Sequence, residues 1–417
     1  MATRLQQGKL RTYLVVILTG TVALFAAFGG FSLPLDWSAL TWPSFNFRGE
    51  LAILRVFVLF VIVGTALASV LLRNDLFAII ASTASGLGIV VLMVLEPAPD
   101  VALVQIVVDI LSIVILVLAM ARLPRLQREK AQGLTFKQNP VNMARDVLVA
   151  LAGGIMVMLV TLSALLSRPR QSIVTPFYTQ NAKPMVGSKS IVGAIITDFR
   201  GLDTLIEIGV FSMAGLGIYT LLRYAGRKHG DSCSQPGMFS PPNVYTLPTF
   251  GIGGLKTSSF IRLLAYIALP VAMVIGTTNI MYGHDQPGDG FTAGVIIGLS
   301  VSFWYVVFGY DETRERLQWL EGTPLVVSGI LLAIMTGIVS AFVNGTFFSN
   351  IDFGHLLGLP LPRGFHLSTS FLFELSICLS VLGSVTHMLN ALGRPSERDI
   401  DSNICLQKIS EDEEQME

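Results

Sequence analysis

The sequence predicts an all-α, polytopic integral membrane protein of about ten transmembrane helices, with both termini cytoplasmic. Three observations lead there. Hydrophobic residues make up 52% of the 417 and charged residues 13%, whereas a soluble domain carries roughly 25% charged residues; mean hydropathy is +0.65. Apolar runs near the length of about 20 residues that crosses a bilayer recur ten times. Lys and Arg are divided unevenly between alternate connections. The formal net charge of +0 removes any bulk electrostatic case for nucleic acid.

In chain order the runs fall at 12–33, 51–72, 75–95, 101–121, 146–166, 202–223, 261–282, 288–309, 323–343 and 367–390. Arg4, Lys9 and Arg11 precede the first, as in a signal peptide. That run exceeds a signal h-region of about 7–15 residues and lacks a small-x-small cleavage site, so it reads as a retained helix. "PLDWSALTWPSFNFRGE" suits an interfacial loop, "RND" a tight turn, and "EPAPD" at 96–100 a proline-enforced hairpin with Asp100 capping the next helix. In the third run "ASTASGLG" presents Ala84, Gly86 and Gly88 for close helix approach.

Two longer connections, 122–145 and 224–258, divide the chain, and "SCSQPGMFSPPN" in the second marks the stronger boundary. "SEDEEQME" reads as a solvated acidic tail. With ten spans the termini share a side; that side carries 20 Lys and Arg against seven opposite, five of those in 168–200, which makes it cytoplasmic. Cys233, Cys378 and Cys405 read as unpaired thiols. The five histidines, His229, His284, His355, His366 and His387, show no zinc-like spacing. No metal, no cofactor and no bond chemistry are expected of this chain.

Polar groups inside the apolar runs are few. An acid at the bilayer centre costs roughly 2.5–3.5 kcal/mol on insertion scales, so each needs a partner, a proton or water. Gln105 and Asp109 lie four apart on one helix face, as do Asp203 and Glu207; Glu374 lies early in the last run, with His387 and Asn390 towards its end. Each carboxylate reads either as a step in a proton or cation path or as an interhelical anchor. Arg55, early in the second run, is suited to snorkelling or to neutralising a nearby acid.

Between the seventh and eighth runs stands "GHDQPGDGFTAG", 283–294. Gly288 and Gly290 allow unusual backbone or close approach, Pro287 stiffens the bend, and His284, Asp285 and Asp289 are able to bind a cation or titrate. A tight capped hairpin recessed among helices accounts for the same residues.

"MYGHDQPGDGFTAGVIIG" resembles the signature of the B-type component of the Mrp-type multisubunit cation/proton antiporters, and "LPRGFHLSTSFLFELSICLSVLGSVTHML" resembles the last helix of that component. "LEPAPDVALVQIVVDILSIVILVL" and "ITDFRGLDTLIEIGVFSMAGLGIYTLL" resemble motifs in the C-terminal part of the large A-type component, a module shared with membrane-bound hydrogenases. By this resemblance Asp109 stands where a glutamate is usual and Glu207 stands on a glutamate. Asp285 replaces an amide; Asp289 and Ala293 replace glycines, as does Ile206. The resemblance implies a fusion of the tail of the A-type component with the B-type component, without the large antiporter domain. It further implies a division into an N-terminal helix and loop (1–49), two modules like the A-type tail (50–125 and 126–225), a linker (226–257), a B-type domain (258–392) and a tail (393–417).

The function implied is that of one membrane component of a Na+/H+ antiporter of the bacterial plasma membrane, partnered by the other subunits of the complex. Gln105, Asp109, Asp203, Glu207 and Glu374 would belong to its ion path, and His284, Asp285, Pro287, Gly288, Asp289 and Gly290 to an extracytoplasmic loop. The alternatives are a non-conducting scaffold within that complex, or a component of a related hydrogenase-like or complex I-like ion-pumping assembly.

Overall fold

The computed structural model describes residues 10–28, 50–72, 74–96, 98–122, 140–167, 172–227, 258–358, 360–362 and 365–393. Ten long helices account for most of them: α1 (Leu10–Phe28), α2 (Glu50–Leu71), α3 (Asp75–Leu95), α4 (Pro99–Arg122), α5 (Pro140–Ser167), α6 (Gly201–Arg227), α7 (Ser259–Tyr282), α8 (Gly290–Arg316), α9 (Gly322–Asn344) and α10 (Thr369–Gly393). The described residues form no strand; Asp352 and Ser368 make a single antiparallel bridge. Among these residues nine helices are long and apolar enough to cross a membrane; in α1 the apolar stretch, Tyr13–Ala27, is shorter. The protein is a multi-pass membrane protein. The tryptophan-containing loop (34–49), most of both long linkers (123–139 and 228–257), the acidic tail, Cys233, Cys405, His229 and the His355 side chain lie outside the described residues.

The chain forms two compact units. In the first, residues 1–52 and 123–177, α1 packs on α5. The second, residues 53–122 and 178–417, contains the remaining eight long helices. Within it α10 packs on α6, α8 and α9, α7 packs on α8, and α4 bridges α3 and α8. Helices α8 and α10 are its interior: 72% and 78% of their apolar windows are buried, against 6% for α2. One apolar cluster draws Val107 from α4, Ile208 from α6, Ala265 from α7, Val301 from α8, Ala333 from α9 and Val381 from α10.

The composition of α10 explains its central position. Ser376, Ser380 and Ser384 recur every four residues, all fully buried, and this stripe of small side chains admits neighbouring helices at short range. Ser376 and Ser384 turn their hydroxyls back onto the Phe373 and Ser380 carbonyls at 2.6 and 2.8 Å, which satisfies them without a polar partner elsewhere. Glycines face this stripe: a Cβ on Gly329 of α9 would stand 2.7 Å from the Ser376 carbonyl, and one on Gly215 of α6 would stand 3.1 Å from the Ser384 Cβ. On another face of α10, a Cβ on Gly294 of α8 would stand 2.9 Å from the Cys378 carbonyl.

Helix α8 breaks at Gly309, where φ is 81° and ψ is −178°, a conformation few residues other than glycine adopt. The break matches the end of the apolar run read from sequence. Beyond it a short polar helix carries Arg316, whose guanidinium lies over the Tyr266 and Phe308 rings at 5.4 and 5.7 Å. Arg55 meets Glu96 at 3.2 Å, so its partner is a carboxylate at the far end of α3.

By hydropathy, 168–200 is a polar connection. The structure packs much of it: a short helix (Thr175–Asn181), π-helical turns (Ala182–Val186 and Ile195–Phe199) and one α turn (Ile191–Ala194). Val186 and Ala194 are fully buried there.

Because Gly294 faces backbone and Gly64 of α2 faces open space, Gly294→Val is expected to destabilise the fold by about 1–3 kcal/mol, the usual cost of overpacking. Gly64→Val serves as the near-neutral control. Thermal unfolding of the purified full chain in detergent measures both.

Candidate functional site

The α7–α8 turn is built by the chain reversing after Tyr282, whose carbonyl accepts from the Asp285 and Gln286 amides at 2.9 Å each. Gly288 follows with φ 129°. Asp289 then caps α8, its Oδ1 accepting from the Thr292 amide at 2.7 Å and from the Thr292 hydroxyl at 2.6 Å. A second carboxylate arrives from α10: Glu374, only 5% exposed, accepts from the Gly290 amide. A Cβ on Gly290 would overlap the Glu374 carbonyl, so only glycine allows this approach. Asp100, from the start of α4, reaches the Gly288 amide and lies close enough to Asp289 to feel its charge. Three carboxylates from three elements thus gather at one helix N-terminus, where roughly half a positive charge resides.

The same turn is tied to the segment before α6. The Ser188 hydroxyl donates to the His284 carbonyl at 2.6 Å and to the Ser190 carbonyl at 2.8 Å, and the Ser190 amide donates to the His284 carbonyl at 3.2 Å. Lys189 pairs with Asp285. Burial works against charge on Asp285, but the Lys189 ammonium outweighs it, with help from His366 and His284, and holds the carboxyl below its usual range. Burial first, then the neighbouring His366, push the His284 imidazole down, against the pull of Asp285, the Val186 backbone and Asp352.

Asn350 completes the connection from the α9–α10 loop. Its amide donates to Asp198 Oδ2 at 2.7 Å, its Nδ2 to the Val186 carbonyl at 2.6 Å, and its Oδ1 accepts from the Ser370 hydroxyl at 2.9 Å. Burial raises the Asp198 carboxyl, and the Asn350 amide partly restores it.

The remaining predicted residues stand apart from this cluster. Asp109 Oδ1 accepts from Gln105 Nε2 at 2.8 Å, as the four-residue spacing suggests. Its Oδ2 is buried without a hydrogen-bond partner among the described residues and lies where a Cβ on Gly86 of α3 would be. Asp203 is taken up by Arg200, Nε to Oδ2 at 2.6 Å, at the exposed start of α6. Glu207 is exposed on α6 and pairs with none of the described residues. The spacing groups Asp203 with Glu207; the structure gives them different surroundings.

Sequence reasoning missed the meeting of Asp100, Asp289 and Glu374, because the three lie far apart in the chain. Asp289 caps its helix, whereas Asp100, expected to cap α4, lies one residue inside it and turns to the Gly288 amide instead; no local signal brings Glu374 to them. His366 and Asp352, 3.4 Å apart, were equally hidden.

Comparison with known proteins matches three regions of the chain to family models. Residues 60–125 match the MbhD family and 141–237 the MbhE family, both described as subunits of MBH, and 260–387 match a domain related to the MnhB subunit of Na+/H+ antiporters. Taken in chain order, these matches resemble a fusion of the A/B type found in Mrp antiporters. The chain is 28% identical over 322 residues to a probable A/B-type K+/H+ antiporter component of Rhizobium meliloti (strain 1021), covering 75% of this chain and 31% of that protein. It is 30% identical over 229 residues to the A-type Na+/H+ antiporter component of Bacillus subtilis (strain 168), covering 54% and 26%. The chain therefore spans about a third or less of the curated relatives it matches. The structure of the Mrp complex from Dietzia sp. DQ12-45-1b shares its fold, with a TM-score of 0.67 and 22% identity over 93% of this chain and 39% of that one.

Asn350→Ala removes the side-chain bonds to Val186 and Ser370 and leaves buried polar groups unpaired, which is expected to cost about 1–3 kcal/mol. Chemical denaturation of the full chain, compared with Asn344→Ala at the end of α9, whose side-chain bonds are exposed, measures that difference.

Proposed function

We propose that this fusion is a membrane component of a multisubunit monovalent cation/proton antiporter of the bacterial plasma membrane, with Na+ as the cation, and that it works only in company with other subunits. The observation that carries the proposal is Glu207. It is a carboxylate exposed on the surface of a helix fit to span the bilayer, paired with none of the described residues. Hydrocarbon does not tolerate such a group, so that face of α6 belongs against protein or water in a larger assembly. The likeness to antiporter components supports an antiporter assembly.

Within it, Asp109 and Glu207 are suited to hold a travelling proton or cation. Asp109 keeps one oxygen without a donor among the described residues, so a proton or a hydrated ion has a lone pair to meet. Gln105 orients the other oxygen. Asp203, engaged by Arg200, fits an anchor better than a step in the path. Glu374 fits a tertiary helix cap that also feels Asp289. Three acids around half a unit of helix charge leave a negative balance, and protons or cations on the loop side complete it. The chain performs no bond chemistry in this reading. Its termini face the cytoplasm, and its modules divide at 49, 125, 225, 257 and 392.

Antiport measured in everted vesicles containing the whole complex tests this. Asp109→Asn and Glu207→Gln are each expected to lower the rate by about tenfold or more, the effect of losing ~1.4 kcal/mol at the limiting step, with subunit co-purification unchanged. Full activity in both variants would reduce these acids to helix anchors. Glu374→Gln keeps an oxygen acceptor for the Gly290 amide, and is expected to preserve assembly better than Glu374→Ala, as co-purification of the subunits reports.

A further inference from the structure

In α3, Gly86 and Gly88 stand two residues apart and so turn to opposite sides of the helix. A Cβ on Gly88 would stand 2.5 Å from Ile62 Cγ1 of α2, and the nearby Ser85 hydroxyl donates to the Ile62 carbonyl at 3.4 Å. On the other side, the three atoms nearest to a Cβ on Gly86 all belong to the Asp109 carboxyl of α4: Oδ2, which it would overlap, Cγ at 3.0 Å and Oδ1 at 3.5 Å. The acid thus occupies the space that a side chain on Gly86 would fill. The backbone of α4 is held from behind, because Val107 and Leu111, on the helix face turned away from Asp109, are buried in the core shared with α8 and α10. The movable part is the end of the Asp109 side chain. Gln105 holds it by Oδ1 at 2.8 Å, and Oδ2 has no hydrogen-bond partner among the described residues.

We propose that Gly86 is a positioning residue for Asp109: its bare backbone seats the carboxyl and so fixes where that acid stands in the ion path. The inference rests on the reading of Asp109 as a step in that path. A methyl group at position 86 fills the seat, and the Asp109 side chain gives way by rotating about its own bonds, which costs less than shifting packed helices. The acid then keeps its place in the sequence and its helix, but its oxygens stand elsewhere. Transfer between two groups depends on their separation, and displacement by about an ångström is enough to slow it. Gly86 meets no ion itself and acts only through Asp109. Gly88, whose missing side chain makes room for Ile62, offers the same chemistry on the side without an acid.

Solid-state NMR of the full chain in lipid vesicles, with carbon-13 at the glycine Cα and the aspartate Cγ, tests the seat without any transport. A cross peak between Gly86 Cα and Asp109 Cγ is expected in the wild type and is identified by its loss in Asp109→Ala. The Asp109 Cγ resonance is expected to move in Gly86→Ala and to stay in Gly88→Ala. Antiport in everted vesicles holding the whole complex tests the consequence. Gly86→Ala is expected to lower the rate by about tenfold or more and Gly88→Ala by about twofold or less, with subunit co-purification unchanged. In an Asp109→Asn background, Gly86→Ala is expected to lower the rate further by no more than about twofold, since both changes act on one group. Gly86→Ser, also too large for the seat, replaces the alanine variant should that one assemble poorly. Absence of the wild-type cross peak overturns the seat; full antiport in Gly86→Ala beside a loss in Asp109→Asn, or an equal loss in Gly88→Ala, overturns the positioning role. Full antiport in Asp109→Asn overturns the path reading instead, and the cross peak and the Cγ resonance then decide the seat alone.

Discussion

The contact between the start of α8 and Glu374 governs the arrangement of the larger unit. A helix that begins deep among other helices presents free amides that water does not reach, and each must find an acceptor. Asp289 supplies one acceptor locally; Glu374 supplies another from α10. That bond requires the two backbones to meet at Gly290, and once they meet there the remaining length follows. Gly294 comes against the Cys378 carbonyl, and Gly298 against Val385. The polar requirement at one end thus fixes the register of an apolar seam that contains few directional contacts of its own.

The same fixed point brings the modules together. Val107 and Leu111 of the MbhD-like region, Ile208 of the MbhE-like region and the helices of the MnhB-like region share one apolar core. On the loop side Asn350 and Ser188 tie the last two by hydrogen bonds, and Lys189 with Asp285 adds an ion pair. The exposed Lys189 ammonium gives that pair little stabilising weight by itself. The part-buried hydrogen bonds that Asn350 makes to the buried Val186 and Ser370 carry more, because those two residues are shielded from water.

Polar groups in this unit divide by what surrounds them. Where backbone amides converge, acids are consumed as caps, as at Asp289 and Glu374. Where a cation is adjacent, they are consumed as ion pairs, as at Asp203 and Asp285. Among the described residues Asp109 is left with a free acceptor, and Glu207 with an outward position on α6. Both lie on helices long and apolar enough to span the bilayer, and in a membrane an incomplete balance is resolved by protons, ions or neighbouring proteins.

Much of this was legible in the sequence. Hydropathy located the helices, since crossing a bilayer imposes a length and a composition that nothing else in the chain imitates. The break at Gly309 coincided with the end of its apolar run, and the Gln105–Asp109 pair followed from helical period alone. Four motifs pointed to the antiporter modules. Tertiary structure decided the rest: that Glu374 belongs with Gly290, that Asp203 and Glu207 part company one turn from each other, that 182–200 folds into a packed segment, and that His284 meets His366. Each depends on the lateral placement of elements far apart in the chain. Local periodicity fixes which face a side chain occupies; which neighbour that face meets is set by close packing of small residues and by the need of buried polar groups for partners.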